Sequence, residues 1–463
     1  MSLQRAIDDY HALLSDEVAQ ESQEQLDDQL RRRNLYFGSR PLCTVLRPRF
    51  ITPAQYTFMQ HAVGRLLTAF DKAYARAIED PAFRTQFRML DWEETLLPQH
   101  PGFRDPSPVS RLDAFFTHER GGLRFTEYNA ETPAAGAFND VLAEVTHGLP
   151  VMRLFLQRYD VRPMPARHLI MHALLDCWRS FSGTRSKPRI AILDWREVPT
   201  FSEFVIHMEY LRSQGLECII ADPREVEYRG GRLYAGDMQI DLIYKRVLIT
   251  ELIERGGLEH PVVRAVRDGA VCMVNPFRCK ILHKKASLAV LSDERNAAMF
   301  SESERDAIRA HIPWTRVVEE RHTLFHDQAI DLVPFLQQNR HRMVLKPNDE
   351  YGGSGIVLGW DVSDTDWESA LRLAMAEPYI VQERIILPEE PYPSLVDGRL
   401  SITDRIVDTA PFVYHGAFMD SVLTRLSSDP LVNVTAGSGS SLATFIVEPR
   451  HLPPADAFPG ESA

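Results

Sequence analysis

Three side chains that carry oxygen ligands, Asp113, Glu127 and Asn129, are spaced so that they can meet on one face of a β-hairpin. Asp113 lies in a strand-like run, 111–117, and a turn-forming stretch separates it from a second run, 123–128. Successive side chains of a strand alternate between its faces, so Glu127 and Asn129 share one face. Magnesium prefers one or two carboxylates, an amide oxygen, phosphate oxygens and water. The spacing therefore indicates a magnesium site, although a polar hairpin with solvated acids has the same pattern.

A lysine followed by a glycine-rich loop forms a second candidate element, 344–356. Lys346 ends a predicted strand, and the loop after it contains Gly352, Gly353 and Gly355. One ammonium group beside exposed backbone N–H groups can bind phosphate oxygens. The order differs from a P-loop, in which the lysine follows the glycines. A simple turn would explain the glycines alone, but a buried lysine at a strand end also needs an anionic partner.

The segment 378–385 is predicted to be a strand that becomes polar towards its end. Such a segment offers backbone and side-chain hydrogen-bonding groups beside apolar walls, as recognition of a purine requires. An ordinary strand end has the same composition, so this segment indicates a nucleotide site only together with the other two.

These candidate residues need a hairpin and an α/β unit to position them. Apolar residues recur at helical spacing up to about residue 79, and Thr52 before Pro53 predicts an N-cap with a first-turn proline. A Pro-rich linker, 97–108, leads to the hairpin, and two segments after it, 137–148 and 151–183, are predicted to be largely helical.

From Lys187 onwards the pattern alternates between strands and helices, which indicates an α/β unit with a parallel sheet. Its predicted strands are 189–194, 217–221 and 239–247, with a helix over 202–214. Further strand segments are predicted over 343–347, 379–385 and 413–425.

Composition excludes several classes of protein. The chain has 463 residues, 44% of them hydrophobic and 25% charged, as in a globular protein of about three domains. A net charge of -12 disfavours a protein that tracks nucleic-acid phosphates. No apolar stretch is long enough to span a bilayer, and the N-terminus lacks the pattern of a secretory signal. Five cysteines without a C-x-x-C pair indicate neither a disulfide framework nor a zinc knuckle, so a reducing cytoplasm is expected.

Taken together, these segments resemble the ATP-grasp superfamily, in the circularly permuted branch that includes glutathionylspermidine synthase. The R-x-D motif at Arg111 and the E-x-N-x-x-x-P motif at Glu127 are similar to the metal-binding hairpin that closes ordinary ATP-grasp ligases such as D-alanine–D-alanine ligase. Here they precede the nucleotide motifs, and that inverted order is the permutation. Residues 187–247 resemble the small α/β domain that precedes the core of those ligases, and 283–288 resembles the segment that supplies the first ATP lysine.

The resemblance implies an α/β (α+β) fold with a circularly permuted ATP-grasp core, a Rossmann-like pre-ATP-grasp α/β domain and a helical N-terminal region. The implied division is a helical N-terminal region over 1–105, a metal-binding part of the core with helices over 106–185, the pre-ATP-grasp domain over 186–270, a nucleotide-binding part of the core over 271–447, and a tail over 448–463.

The resemblance also implies roles for the residues at matching positions. Asp113, Glu127 and Asn129 match the magnesium ligands. Lys346 and Lys285, with Lys284 as an adjacent alternative, match the lysines that contact ATP phosphates. The phosphate loop is matched by Gly352, Gly353, Ser354 and Gly355, and the adenine and ribose hinge by Gln382, Glu383 and Ile385. The arginines at the transferred phosphoryl group and the acyl phosphate are matched by Arg111 and Arg425, and Asn433, near Arg425, is the third candidate catalytic residue. Each arginine could instead form a structural ion pair.

The implied activity is an ATP- and Mg²⁺-dependent, ADP-forming ligase that joins a carboxylate to an amine through an acyl phosphate. Its partners would be a small-molecule carboxylate, an amino acid or peptide, and an amine, with no nucleic acid or membrane. A small-molecule kinase on the same scaffold and a nucleotide-binding regulator without turnover are the alternatives; intact ligand positions argue against the regulator. The sequence has no room for the amidase domain fused to some glutathionylspermidine synthases, so the acid and the amine stay open, as does the oligomeric state.

Overall fold

The N-terminal region is mainly helical, as the apolar spacing predicted. The computed structural model describes residues 2–117, 122–350, 352–428 and 439–450. The N-cap expected at Thr52 is confirmed, because Thr52 and Gln55 form a capping box at the start of the longest helix. The elements here are α1 (Leu3–Ala12), α2 (Asp16–Arg32), β1 (Tyr36–Phe37), β2 (Arg40–Pro41), β3 (Arg49–Ile51), α3 (Pro53–Glu79), α4 (Pro81–Arg84) and α5 (Asp91–Leu96).

The predicted hairpin follows the linker and is confirmed, with its turn, 118–121, outside the described residues. The elements are β4 (Val109–Thr117), β5 (Gly122–Asn129), α6 (Gly136–Gly148), α7 (Pro150–Phe155), β6 (Tyr159–Pro163) and α8 (Arg167–Ser182). The expectation of a largely helical segment over 151–183 is wrong at β6. That strand pairs with residues 445–449 near the end of the chain, a long-range partner that local spacing does not reveal.

The α/β unit has the expected parallel sheet. Its elements are β7 (Arg189–Leu193), α9 (Phe201–Ser213), β8 (Glu217–Ala221), β9 (Val226–Arg229), β10 (Arg232–Ala235), β11 (Met238–Ile240), β12 (Leu242–Lys245), α10 (Ile249–Gly256), α11 (Pro261–Arg267) and β13 (Cys272–Val274). The predicted strand 239–247 is in fact two strands in two sheets, because Asp241 breaks it; its carboxylate accepts from the backbone N–H and the side chain of Arg189. The strand order of the parallel sheet is β13-β12-β7-β8. The chain continues from β7 to β8 on one side of β7, and later adds β12 on the opposite side.

The remaining described segments contribute strands to four sheets, with helices that cover them. They are α12 (Lys280–His283), α13 (Ala286–Ser292), α14 (Glu302–His311), β14 (Thr315–Val317), β15 (His322–Phe325), β16 (Gln328–Asp331), α15 (Leu332–Gln338), β17 (Met343–Pro347), β18 (Val357–Leu358), α16 (Asp364–Ala376), β19 (Tyr379–Glu383), β20 (Glu389–Val396), β21 (Arg399–Val407), β22 (Ala410–Tyr414), β23 (Phe418–Ser427), β24 (Ser440–Leu442) and β25 (Thr444–Pro449). The predicted strand 343–347 is confirmed as β17. The predicted strand 413–425 is instead the end of β22, a turn and most of β23.

One large sheet joins distant parts of the chain. Its order is β20-β21-β23-β22-β4-β5, and β22 pairs with β4 so that Phe412 lies opposite Arg111. The hairpin therefore lies in the same sheet as the C-terminal strands. A four-stranded sheet, β14-β19-β17-β18, carries the predicted lysine strand and hinge strand side by side.

Helix α3 packs against the hairpin and fixes its back face. Leu66 and Phe70 belong to the same buried cluster as Leu112 and Phe125, and the Phe70 and Tyr128 rings are 4.7 Å apart. With the apolar face of the hairpin covered, its polar face is left for the site. Within the described ranges, no helix combines the length and apolar character that crossing a bilayer would require.

Candidate active site

The hairpin β4–β5 brings the three predicted magnesium ligands together on one wall of a cavity. Asp113 lies opposite Glu127 in the strand register, and Arg111 lies opposite Asn129. All four residues line a cavity of about 1160 Å³. The Asn129 amide nitrogen donates to an Asp113 carboxylate oxygen at 3.1 Å. The convergence expected from the period-two spacing is confirmed, while the metal role stays a prediction.

Asp113 is held by two arginines. Arg111 donates to its two oxygens from Nε at 2.6 Å and from Nη2 at 3.0 Å, and Arg425 donates from Nη2 at 3.0 Å. Burial alone would raise the pKa of the Asp113 carboxyl group, but the two guanidinium groups hold that pKa well below its usual value. Asp113 is therefore an anion over the whole physiological pH range, and its oxygens already accept hydrogen bonds.

The donor set suits a cation that arrives with ligands of its own. Among the residues that the structure describes, no group of three or more His, Cys, Asp or Glu side chains could hold a metal ion. Two carboxylates and one amide converge at Asp113, Glu127 and Asn129, and magnesium commonly combines one or two carboxylates with phosphate oxygens and water. These residues therefore fit a magnesium ion that is bound together with a nucleotide.

Lys285 reaches the β4–β5 hairpin from the loop between α12 and α13. Its Nζ lies 3.1 Å from Glu127 Oε1 and donates to the carbonyl oxygen of Glu350 at 2.6 Å. Burial is the largest influence on Glu127 and would raise its pKa, but Lys285, helped by Lys346 and His283, lowers that pKa below its usual value. The adjacent Lys284 faces away, with Nζ 2.8 Å from Glu93 and 3.2 Å from Asp349. Neither lysine lines the cavity, but of the two only Lys285 contacts the carboxylate of Glu127, so Lys285 stays the better candidate for a phosphate contact.

Lys346 lines the cavity from the end of β17. Its Nζ donates to the Gln382 side-chain oxygen at 2.7 Å and to the Thr126 carbonyl oxygen at 3.2 Å. Burial lowers the pKa of Lys346 to about 8, against the opposing effect of nearby Glu127. Both partners that bind this ammonium group are neutral, so an anionic ligand would be a favourable addition.

The glycine-rich loop borders the same cavity. Its glycines occupy the left-handed region that other residues avoid, with φ of 66°, 79° and 68° at Gly352, Gly353 and Gly355. Gly352 and Gly353 line the cavity, whereas Ser354 and Gly355 are not part of its wall. The loop is therefore placed where backbone N–H groups could meet phosphates, with its first two glycines nearest.

The predicted hinge lies on β19 and directly after it, and its three residues line the cavity. Gln382 donates from its amide nitrogen to Thr315 Oγ1 at 3.0 Å, so this side chain is already used inside the protein. A carboxylate oxygen of Glu383 lies 3.0 Å from His326 Nε2. Apolar walls for a planar ring are supplied by Leu358, Trp360, Ile385, Ile386 and Leu387.

Arg425 binds a second carboxylate that the sequence interpretation missed. Its backbone N–H donates to Asp408 Oδ1 at 2.7 Å, and its guanidinium group also binds Asp408. Arg425 thus bridges Asp408 and Asp113, and it is both an ion-pair residue and part of the cavity wall. Asn433, predicted beside it, lies outside the described residues. No local spacing signals Asp408, because the pairing depends on how β21 and β23 meet.

The cavity continues from the hairpin to the α/β unit, where Asp194, Arg246 and Glu251 line its other end. Asp194 follows β7 and Arg246 follows β12, the two strands between which the order of the parallel sheet reverses. Such a switch point is where open α/β sheets bind ligands. Burial raises the pKa of Asp194 to about 6. The sequence interpretation assigned none of these residues to the site, although Asp194 and Arg246, polar residues at or near the ends of two predicted strands, were an available signal.

Comparison with known proteins bears on the fold. No known family model matches the chain, and no curated protein matches it either. Among solved structures, it is similar to a glutathione synthetase-like effector from Globodera pallida in its apo form, with 12% identity, a TM-score of 0.59 and coverage of 94% of this chain and 98% of that one.

The protein has an ATP-grasp-like fold. A second structure, D-alanyl-alanine synthetase A from Vibrio cholerae, aligns with 12% identity and a TM-score of 0.25 over 48% of this chain and 68% of that one, which is too weak to add support. The expected mixed α/β class is confirmed. Kinship with glutathionylspermidine synthase and the circular permutation of this ATP-grasp-like fold remain predictions.

Proposed function

We propose that this protein is an ATP- and Mg²⁺-dependent, ADP-forming ligase that joins a small-molecule carboxylate, an amino acid or peptide, to an amine. The observation that carries the proposal is one cavity with two chemically different ends. Lys346, Glu127, Gly352 and Gly353 line one end, and the switch point of the α/β unit, with Asp194 and Arg246, lines the other. The volume of about 1160 Å³ exceeds the roughly 300–1,000 Å³ of an ordinary ligand pocket, so it has room for a nucleotide and a second molecule.

In the first half-reaction, Lys346, Lys285 and the loop N–H groups would bind the ATP phosphates and offset their charge. Magnesium, held by Glu127 and its neighbours in the hairpin, would supply further positive charge there. A substrate carboxylate oxygen attacks the γ-phosphorus, the bond from that phosphorus to the β–γ bridging oxygen breaks, and ADP leaves. The product is an acyl phosphate.

In the second half-reaction, the amine attacks the acyl carbon and a tetrahedral oxyanion forms. Arg111 and Arg425 would stabilise that oxyanion, since both guanidinium groups lie at the cavity wall beside Asp113. The carbon–oxygen bond to phosphate then breaks, inorganic phosphate leaves and the nitrogen loses its proton to solvent. No protein nucleophile is needed, and none is offered by the cysteines, because all five are buried and burial raises the pKa of each thiol.

We infer in addition that the core is circularly permuted, because the hairpin precedes the nucleotide segments in the chain yet lies in a sheet with strands that follow them. A cytoplasmic location and the absence of nucleic-acid and membrane partners are part of the same proposal. They are supported by five unpaired cysteines and a net charge of -12.

The test is a screen for ADP release with pooled amino acids, peptides and polyamines, followed by mass spectrometry of any product. An amide that forms together with ADP supports the ligase. A phosphorylated acceptor without an amide would identify a small-molecule kinase. Nucleotide binding without ADP release from any pool would favour a regulator without turnover.

A further inference from the structure

A buried cluster of three lysines and three carboxylates lies behind the candidate nucleotide site, and the proposed mechanism does not use it. Five of the six side chains are at most 2% exposed, and the sixth, on Asp349, is 17% exposed. The cluster, called the lysine–carboxylate cluster below, consists of Glu93, Glu131, Lys245, Lys280, Lys284 and Asp349.

Asp349 and Glu131 are bridged by one lysine. Lys280 Nζ donates to both Asp349 oxygens at 2.6 Å and to Glu131 Oε2 at 3.2 Å. Lys284 Nζ adds a contact to Asp349 at 3.2 Å, and Lys245 Nζ adds one to Glu131 at 3.3 Å. These contacts tie the segment before the glycine-rich loop to α12. They also tie the residues that directly follow the β4–β5 hairpin to α12 and to the end of β12.

Three residues of the cluster are close in sequence to a candidate phosphate or metal residue, or to a residue that contacts one. Glu131 follows the predicted ligand Asn129 by two positions, and Lys284 directly precedes Lys285. Asp349 directly precedes Glu350, whose carbonyl oxygen accepts from Lys285 Nζ at 2.6 Å. The cluster therefore sets the relative placement of the hairpin, the phosphate lysine and the start of the loop.

Stability alone does not account for such a cluster. A buried ion pair loses about as much in desolvation as it gains in attraction, and well-packed apolar replacements are often neutral or stabilising. Removal of a single partner is destabilising, because a charge is then left buried without compensation. A cluster of this kind is better explained by the specific arrangement that it imposes.

We propose that Asp349 is a positioning residue, which holds the start of the glycine-rich loop against α12 so that Lys285, Glu127 and the loop glycines keep one arrangement around the nucleotide phosphates. This inference rests on the proposed function, since it presumes that a nucleotide occupies the cavity. Asp349 does not itself line the cavity and acts only through its neighbours.

The test compares Asp349→Asn with Asp293→Asn. Asp293 is a matched control, because this buried carboxylate likewise binds two cationic side chains, those of Arg295 and Arg321, and does not line the cavity. Three quantities are measured for each variant: the unfolding midpoint without ligand, the Kd of a non-hydrolysable ATP analogue in excess Mg²⁺, and the hydrogen exchange of amides 284–286 and 352–356.

Both variants are expected to unfold at a lower temperature than wild type. Only Asp349→Asn should raise the Kd of the analogue, by at least tenfold, and accelerate exchange at both segments. If wild type binds the analogue and Asp349→Asn binds it equally well, the positioning role is overturned and the proposed function stands. A wild type that binds no analogue overturns both.

A second variant keeps the proposal testable if Asp349→Asn does not fold. The double variant Lys280→Met/Asp349→Leu removes both charges of the central pair, and its unfolding midpoint should return towards that of wild type. Its Kd should stay raised by at least tenfold, since apolar packing does not reproduce the fixed hydrogen bonds. Recovery of affinity together with stability would overturn the proposal.

Discussion

Lys346 and Gln382 are joined across neighbouring strands, with the ammonium group of the lysine donating to the amide oxygen of the glutamine at 2.7 Å. The orientation of that amide is fixed, because its nitrogen donates to Thr315 Oγ1 at 3.0 Å. The lysine is thus held in place by a neutral acceptor. Its charge remains available to an anionic ligand, which is the property that a phosphate-binding lysine needs.

Lys346→Met is expected to abolish most of the stabilisation by nucleotide. Methionine keeps most of the side-chain volume but has no charge, so the packing should survive. A ligand at a hundredfold excess over Kd stabilises wild type by about 2.7 kcal/mol, a shift that a melting experiment with and without ATP and Mg²⁺ resolves easily. Lys72→Met is the control: Lys72 binds Glu304 away from the cavity, and its variant should keep the full shift. A full shift in Lys346→Met would exclude this lysine as a major phosphate contact.

The pKa of Lys346 predicts a pH dependence of both stability and binding. Burial lowers that pKa from 10.5 to about 8, so the folded protein carries a cost below pH 8 that is relieved as the pH rises from 8 towards 10.5. That cost is at most roughly 3.5 kcal/mol at 1.4 kcal/mol per unit of pKa. Lys346→Met should therefore be at least as stable as wild type at pH 7. Nucleotide affinity of wild type should fall above pH 8, and that fall should be missing in the variant. Calorimetric titrations from pH 7 to pH 9.5 measure this fall in affinity. If the affinity of wild type and that of Lys346→Met changed with pH in the same way, Lys346 would not be the phosphate contact.

Glu127→Gln should weaken magnesium-dependent turnover and cost some stability. The carboxylate is the anionic partner of Lys285, so the isosteric amide leaves an ammonium group without an acid beside it. The Mg²⁺ concentration for half-maximal ADP release should rise at least about tenfold. Glu304→Gln changes a carboxylate that also binds a lysine but does not line the cavity, and its Mg²⁺ dependence should match wild type. Unchanged Mg²⁺ dependence in Glu127→Gln would remove Glu127 from the metal site.

The glycine-rich loop should become ordered by nucleotide. Amides 352–356 are expected to exchange at least about tenfold more slowly with ATP and Mg²⁺ than without, because bound phosphates would engage the loop N–H groups. Gly353→Ala should raise the Kd for nucleotide, since φ of 79° costs a residue with a Cβ about 1–2 kcal/mol. Gly398→Ala carries similar backbone strain at φ of 73° in the turn between β20 and β21, with no side-chain clash, and should leave nucleotide binding unchanged. Equal exchange with and without nucleotide would argue against a phosphate-covering loop.

The other end of the cavity should affect the second substrate and not the nucleotide. Asp194→Asn is expected to raise the KM of the acid or amine found in the screen at least tenfold, while the stabilisation by ATP and Mg²⁺ stays as in wild type. Asp222→Asn is the control, because Asp222 follows the next strand, β8, and is buried away from the cavity. If Asp194→Asn instead lost the nucleotide-induced shift, the assignment of the two ends would be reversed.

The sequence by itself determined the features that depend on local periodicity. The period-two spacing put Glu127 and Asn129 on one face of their strand, where they could meet Asp113, and the order of Lys346 and the glycines placed both at the end of one strand. The capping residues at Thr52 fixed the start of α3 for the same reason. Backbone geometry repeats every two or about 3.6 residues, so a pattern within some twenty residues specifies a hairpin or a helix without further information.

The tertiary structure alone decided which distant side chains meet. Arg425 binds Asp113 because β22 pairs with both β4 and β23, and no spacing along the chain encodes that order. The choice between Lys284 and Lys285 likewise depended on what each faces: the first meets Asp349 and Glu93, and the second meets Glu127. Ion pairs across hundreds of residues follow from sheet order and burial, which arise only when the whole chain packs.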